Sequence, residues 1–336
     1  MAGTTIAPVQ VAQDREELTV DAVVLARDRR ASVETVLDRL EGLALRRVLV
    51  ADNGSTDGTP DLVRARGGNV ELVEMGANLG VAARNVAARH ARADLILMLD
   101  DDSYPRPRTV ELLRAAFRRQ PRLGVAGGRI VDVDTRGDVR HRGVEVGSFD
   151  WFLRPRGRAD APEDGFPASF FPQGGCMLRR DAFLEVGGCF EPYFFYGEEL
   201  DLTARMVDAG WEVRYFPGAE FEHRREPVPR GAPGIRRMLR YRIRNQIWYF
   251  WLRFPARLAA VRIPLYLAFD LVECAHRGAL GSWPAGVRAA WVDRGRVAHA
   301  RRPLSRSALR RAELDRGRKH LRLLLHGLLR PLRPSP

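Results

Sequence analysis

The sequence predicts an α/β fold in which a Rossmann-like, mostly parallel sheet flanked by helices is followed by a helical, basic C-terminal extension. Three observations carry this. Short apolar runs alternate with helix-period segments through the first two thirds of the chain, as in βαβ units. Polar and acidic clusters fall directly after those runs, where an open parallel sheet gathers its ligands. The charge then inverts. Residues 224–336 hold 26 Lys+Arg against 6 Asp+Glu, a net +20, whereas residues 1–223 net −7.

Residues 1–17 are expected to be a flexible N-terminus. Ala22–Ala26 (AVVLA) reads as a buried first strand. Ser32 caps the next helix, which runs to about Leu43 with Val33, Val36, Leu37 and Leu40 on one face. Arg47–Ala51 (RVLVA) is the second strand and enters the loop Asp52-Asn53-Gly54-Ser55-Thr56-Asp57-Gly58. Thr59-Pro60 then starts a helix, because a proline in the first turn forfeits no hydrogen bond. Val70–Val73 is a third strand, Val81–Arg92 a helix, and Leu95–Leu99 (LILML) a fourth strand ending in Asp100-Asp101-Asp102. A helix over about Pro107–Arg119 and a strand near Val125–Val131 complete this half.

Residues 133–168, rich in Gly, Pro and charge, predict a hairpin or a mobile loop over the site. Phe170–Leu178, a helix from about Asp181, a helix opened by Gly197–Asp201 and a strand at Val213–Phe216 follow. From Ile235 the pattern is helical and Arg-rich, punctuated by Pro255, Pro264, Pro284 and Pro303. The expected division is a catalytic domain over 18–230, with halves at 18–132 and 133–230, and an extension over 231–336.

Of the 336 residues, 45% are hydrophobic and 29% charged, enough apolar material for a full core, which excludes a mostly disordered chain or a disulfide-stapled scaffold. Cys176, Cys189 and Cys274 have no CxxC or Cys/His spacing, so a structural zinc site is not expected and a reducing compartment is. Met1–Gln13 lacks a basic start and an apolar core, and the best apolar run, Ile263–Ala275, is broken by Pro264, Asp270 and Glu273. A cytoplasmic protein without a membrane span is expected.

The chemistry concentrates in four places. Asp100 and Asp102, two apart in an extended stretch, face the same way while Asp101 points elsewhere. Two carboxylates on one face suit a hard cation such as Mg²⁺ or Mn²⁺, which in turn holds a diphosphate; the bland alternative is a solvated acidic turn. The loop Asp52–Thr59 offers acceptors and free backbone N–H groups at a strand end, a place for a nucleoside, although Asn-Gly and Asp-Gly also simply form turns. Glu198, Glu199 and Asp201 sit in the first turn of a helix whose positive end favours them, and a carboxylate there can act as general base. His223 follows a strand pattern, where a neutral imidazole could complete a metal shell.

Taken together, and in this order over roughly residues 20–225, these blocks resemble a family 2 glycosyltransferase of the GT-A fold. Asp52–Thr59 is similar to the family's nucleotide-binding loop, and Asn78-Leu79-Gly80 with Ala83-Arg84-Asn85 resembles the next block. Asp100-Asp101-Asp102 matches the DxD metal motif. Gln173-Gly174-Gly175-Cys176-Met177 resembles the stretch lining donor sugar and acceptor, and Gly197-Glu198-Glu199-Leu200-Asp201 looks like the ED-type motif. The resemblance implies an inverting transfer from a nucleotide-diphosphate sugar to an acceptor hydroxyl.

In that reading a divalent metal is held by Asp100 and Asp102 with help from His223. Asp52 contacts the nucleobase in a loop shared with Asn53 and Asp57, Asp101 the ribose or donor sugar, and Arg84 the donor phosphates. Gly174 and Gly175 line the donor sugar, and Glu199 is the base supported by Glu198 and Asp201. Two departures stand out. The first strand ends Ala26-Arg27-Asp28-Arg29, without the aromatic that would stack on the base, and the second motif acid is Glu199 rather than Asp.

Residues 235–254 alternate arginines with Trp248, Trp251 and other large apolar residues, a pattern suited to an anionic membrane surface or to packing on the catalytic domain. An envelope, lipid-linked or secondary-metabolite acceptor, with a rhamnose-like deoxyhexose as one donor sugar, fits the resemblance. Nucleic acid is not an expected partner, since no nucleic-acid module is visible and the first part is acidic. The competing readings are a nucleotidyltransferase, which would release pyrophosphate, and a membrane-associated scaffold with a dead donor site.

Overall fold

Strands β1 (Val20–Ala26), β2 (Arg47–Asp52), β3 (Val70–Glu74) and β4 (Leu95–Asp100) pair in parallel in the order β3-β2-β1-β4. The structure is a computed structural model describing residues 17–133, 139–141, 162–168, 170–224 and 231–310. Strands β1 and β4 are apolar on both faces because helices cover both. Helices α1 (Arg30–Leu40) and α2 (Thr59–Arg66) bury Val33, Leu37 and Val63 against Val20, Val24, Leu97 and Leu99. Helix α3 (Ala82–His90) places Ala83 and Ala87 on the opposite face with Val23, Ile96 and Met98. The period of two along β1 and β4 thus divides the core into two layers.

The remaining strands are β5 (Ser103–Pro105), β6 (Leu123–Val133), β7 (Val139–His141), β8 (Phe166–Pro167), β9 (Gly175–Arg179) and β10 (Glu212–Arg224). Strand β9 runs antiparallel between β4 and β6, and β10 lies parallel to β6 while taking β5 and β8 antiparallel. The sheet is therefore mixed, its parallel part being β1–β4 and the β6–β10 pair. Helix α4 (Thr109–Arg119) joins the first layer through Leu113 and Phe117. Helices α5 (Arg180–Glu185) and α6 (Glu198–Asp208) join the second through Phe183, Leu202 and Met206.

The α/β expectation holds, with local corrections. Helix α1 begins at Arg30 rather than after a Ser32 cap, because Asp57 accepts the Arg30 backbone N–H at 2.9 Å and satisfies the first turn from outside. Strand β10 continues past Phe216 to Arg224 through an irregularity between Phe216 and Glu220. Strands β5, β7 and β8 are two or three residues long and carry no periodicity to read. Of the loop expected over 133–168, residues 134–138 and 142–161 lie outside the described residues, as do 1–16 of the expected N-terminal tail.

Helices α7 (Pro233–Arg253), α8 (Ala256–His276) and α9 (Ser282–Val292) form the C-terminal layer. Trp248, Tyr249, Phe250, Leu252 and Phe254 are buried and cluster with Tyr193 and Ala204 of the preceding part. Arg244 stacks on Trp248 with its guanidinium carbon 4.4 Å from the ring centroid, and the Trp248 indole donates to the Ala290 carbonyl at 3.0 Å. Of the two readings of 235–254, the structure displays the packing one: most of its apolar side chains have protein partners. No helix among the described residues is long and apolar enough to cross a membrane.

Candidate active site

The parallel register places Asp52 opposite Ala26 and Asp100 opposite Leu25, so the ends of β1, β2 and β4 share one edge. Two strand spacings separate Asp52 from Asp100, about 10 Å. Asp52 is 2% exposed; its Oδ2 accepts the Gly54 and Ser55 backbone N–H groups at 3.2 and 3.0 Å, while its buried Oδ1 has no partner. A buried carboxylate oxygen left over is costly unless a ligand donor completes it, which fits the nucleobase contact expected of Asp52.

Asn53 and Asp57 behave differently from expectation. The Asn53 amide donates to the Gly80 carbonyl at 3.0 Å and its oxygen accepts the Leu79 N–H at 2.7 Å, so both ends hold the neighbouring loop. Asp57 accepts from the Arg30 N–H and from Thr59, whose hydroxyl hydrogen bond is the main cause of its lowered pKa. Both brace the backbone around the strand end, Asn53 at residues 79–80 and Asp57 at the starts of α1 and α2. Asp28 accepts the Thr56 N–H at 2.7 Å and donates its own N–H to the Ser55 hydroxyl at 2.9 Å. The Ala26–Arg29 stretch therefore laces to the second loop where the family resemblance would place an aromatic.

Arg84, expected on the donor phosphates, is 2% exposed beneath β4. It pairs with Asp100 and donates to the Leu99 carbonyl at 3.2 Å, so it fixes Asp100 and is itself withheld from solvent. Gly174 is required here: a Cβ would lie 2.3 Å from Asp100 Oδ2. Gly175 sits inside β9, where a Cβ would crowd Ile130 and Phe221, so its smallness serves packing. Asp100 thus holds Arg84 through Oδ1 while its side chain stays 45% exposed at the strand end.

Asp101 points to the end of β1, within 3.4 Å of the Arg27 N–H. Burial, then the Asp102 and Asp100 charges, push it up to about 7. Asp102 meets His223 Nε2 at 3.3 Å, and His223 Nδ1 lies 2.9 Å from Asp132 Oδ1. The β6–β10 ladder sets Asp132 directly across from His223, and β5 sets Ser103 beside it. Asp132 thereby fixes which imidazole nitrogen faces Asp102, the arrangement in which a carboxylate orients a metal-binding histidine. Sequence reasoning missed Asp132, because its pairing depends on a parallel register between segments 91 residues apart.

Glu198, Glu199 and Asp201 open α6 but divide in role. Glu198 is buried with Oε2 unpartnered, and burial followed by the Glu199 charge raises its pKa well above the usual value, favouring the neutral acid. Glu199 is half-buried in the first turn of α6. Asp201 is fully buried between Arg205 Nε at 2.7 Å and Arg253 Nε at 2.5 Å. Burial pushes its carboxyl up, but the two guanidinium groups outweigh this and lower it. Asp201 ties α6 to α7 and is not disposed toward a ligand.

The loop before α6 is held from the extension. The Asn245 amide reaches the carbonyls of Tyr193 at 3.0 Å, Phe195 at 2.8 Å and Tyr196, and Arg244 donates to Tyr193 at 2.7 Å. Phe194 and Tyr196 adopt positive φ, a conformation non-glycine residues rarely keep without external support. The Phe194 carbonyl accepts the Val81 N–H at 2.9 Å, and a Cβ on Gly80 would lie 2.0 Å from that oxygen. These contacts couple the wall around residues 78–81 to the entry of α6.

Residues 22–187 match the glycosyl transferase family 2 model. The N-acetylglucosaminyl-diphospho-decaprenol L-rhamnosyltransferase of Mycobacterium tuberculosis is 35% identical over 205 residues, covering 52% of this chain and 66% of its own. The pre-mycofactocin glycosyltransferase of the same organism is 27% identical over 213 residues, covering 61% of this chain and 42% of its own. A mannosyltransferase from Pyrobaculum calidifontis, solved with GDP-Man and Mn²⁺, superposes with a TM-score of 0.51 at 19% identity over 94% of this chain and 90% of its own. With the sheet topology, the strand-end aspartates and the acidic start of α6 already in the expected order, the chain belongs to glycosyltransferase family 2.

Proposed function

We propose that this chain is an inverting transferase moving a sugar from a nucleotide-diphosphate sugar to a hydroxyl of a lipid-linked acceptor. The observation that carries it is the arrangement of Asp52, Asp101 and the Asp102–His223–Asp132 group along one strand-end edge, with Glu199 half-buried in the first turn of α6. The similarity to a rhamnosyltransferase named for a decaprenol-linked acceptor supports a deoxyhexose donor and a polyprenyl-diphosphate acceptor.

Among the described residues no three His, Cys, Asp or Glu side chains converge as a closed metal cage. An open pair fits Mg²⁺ or Mn²⁺, which keep few protein ligands and complete their shell with water and substrate phosphate oxygens. Asp102 and His223 would hold it, with Asp132 fixing the imidazole. Bound there, it would supply positive charge to the diphosphate leaving group.

The chain's own residues supply the rest. The free Oδ1 of Asp52 accepts from the nucleobase and Asp101 from the ribose, while Arg84 and Gly174 keep Asp100 in place. Glu199 takes the proton of the acceptor hydroxyl as that oxygen attacks the anomeric carbon. The new C–O bond forms on one face as the bond to the diphosphate oxygen breaks on the other, and the electron pair leaves with the nucleoside diphosphate. The transition state has oxocarbenium character, as in glycoside hydrolysis.

The test offers UDP-, GDP- and dTDP-sugars with Mn²⁺ or Mg²⁺ and reads nucleoside diphosphate release together with Mn²⁺ affinity by titration. One nucleotide is expected to respond in a metal-dependent way. Asp102→Ala should abolish the response, and Asp132→Asn should weaken Mn²⁺ binding about 10–100-fold. Pyrophosphate as product would instead identify a nucleotidyltransferase, and metal affinity unchanged in Asp102→Ala would remove the metal assignment.

A further inference from the structure

Helix α8 packs on α7 through Tyr266, Asp270 and Cys274, which are buried. A helix one layer deep should turn a polar face to water; α8 does the reverse. Its outward stripe carries Ala260, Val261, Pro264, Leu265, Leu271 and Val272, all exposed, with Val261 at 66% and Val272 at 69%. From Val261 to Val272 this stripe runs about 16 Å along the helix. Beside it, the end of α9 exposes Trp291 at 69% and Val292 at 62%, while its Ala290 packs in one cluster with Ala259 and Tyr266 of α8.

Charge identifies what covers this face. Among the described residues of this layer the three acids each pair with arginine, Asp270 buried and Glu273 and Asp293 33% and 35% exposed. Asp270 and Glu273 each lie 2.9 Å from Arg242, Glu273 also pairs with Arg277, and Asp293 faces Arg244 at 3.8 Å. The basic groups remain outside: Arg257 at the start of α8, His276 at its end, and Arg288, Arg294 and Arg296 on and after α9 are exposed. An apolar stripe bordered by cations, with each described acid of the layer held by an arginine, is self-repelling toward a second copy of the same surface and complementary to an anionic, apolar-cored one. A helix of this kind lies in the plane of a lipid interface, its apolar side among the acyl chains and its cations at the headgroups.

We infer that the outer face of α8, together with the Trp291–Val292 corner, is the surface by which this protein docks on an anionic lipid bilayer. This places the contact on α8 rather than on residues 235–254, most of whose aromatics are buried. It would bring the site to a lipid-linked acceptor but does not depend on the sugar chemistry.

The experiment is flotation of the full chain with vesicles of phosphatidylcholine alone or mixed with phosphatidylglycerol, without any sugar donor. Wild type should float with the mixed vesicles and be released by salt, and Val261→Glu/Val272→Glu should cut the bound fraction at least tenfold. Because both positions are exposed, the variant should keep wild-type melting and nucleotide-sugar hydrolysis, so a docking failure is separable from a failure of the catalytic reading. No flotation of wild type, or equal flotation of the variant, overturns the inference. A wild-type dimer in light scattering that the same variant dissociates assigns the face to a second copy and overturns it as well.

Discussion

Glu199→Gln is expected to lower kcat by about 10²–10⁴-fold, the usual contribution of a positioned general base, while leaving the melting temperature and nucleotide-sugar affinity near wild type. Glu198→Gln should do the opposite of what the adjacent acids suggest and retain most turnover. Glu198 is buried and its neutral form is favoured, first by burial and then by the Glu199 charge, so glutamine copies the state it already holds. The pH dependence of stability separates the two further. The folded pKa of Glu198 lies above its ordinary value of 4.5, so below that value both folded and unfolded states are protonated. As pH rises, the unfolded chain ionises while the folded one resists, and stability falls from 4.5 upward. Glu198→Gln removes that loss and should melt higher than wild type at pH 8, with a smaller difference at pH 4. If Glu198→Gln lost turnover and Glu199→Gln kept it, the base would be Glu198.

Much of this site was legible because ligands of an open α/β sheet collect at strand ends, and strand ends are marked in sequence by an apolar run meeting a polar cluster. Asp52 and Asp100–Asp102 are found that way, and the start of α6 by acids in the first turn of an amphipathic helix. The direction of individual side chains was not legible. Arg84 reads as a surface cation for phosphates, but the turn of α3 that carries it packs on the sheet, and the charge ends on Asp100. Asn53 and Asp57 read as donor ligands because their residue types suit ligands and turns equally, and here Asn53 holds the neighbouring loop at Leu79 and Gly80 while Asp57 holds Arg30 and Thr59. Asp132 and Asn245 gave no local signal: one acts through a strand register and the other through a helix packed from the far end of the chain. The alternation of arginine and aromatics in 235–254 fits a lipid interface and a buried helix equally well. Which one holds depends on what else covers it, and here the covering group is Tyr193 and its cluster.

That burial bears on the largest stability effect. Asp201 is enclosed by Arg205 from its own helix and Arg253 from α7, so the charge that anchors the extension lies two residues from the proposed base. Asp201→Ala leaves two guanidinium groups without their counter-charge in a dry site, and breaking such a buried group typically costs about 3–5 kcal/mol. A large drop in the urea midpoint is expected. Because the folded pKa of Asp201 is lowered, its contribution is complete above the unfolded value of 3.8 and is lost as pH falls through the folded value. The wild-type advantage over Asp201→Ala should therefore be full at pH 7 and shrink on acidification below about 4. Turnover should fall too, since α6 would lose the contact that fixes its first turn, whereas nucleotide-sugar binding at the β1, β2 and β4 ends should persist. Arg253→Leu tests the same link from the other side. It leaves Asp201 with Arg205 alone and should be milder, because one cation still compensates the buried carboxylate. Equal midpoints for wild type and Asp201→Ala at pH 7 would mean that the extension is held by its aromatic cluster alone.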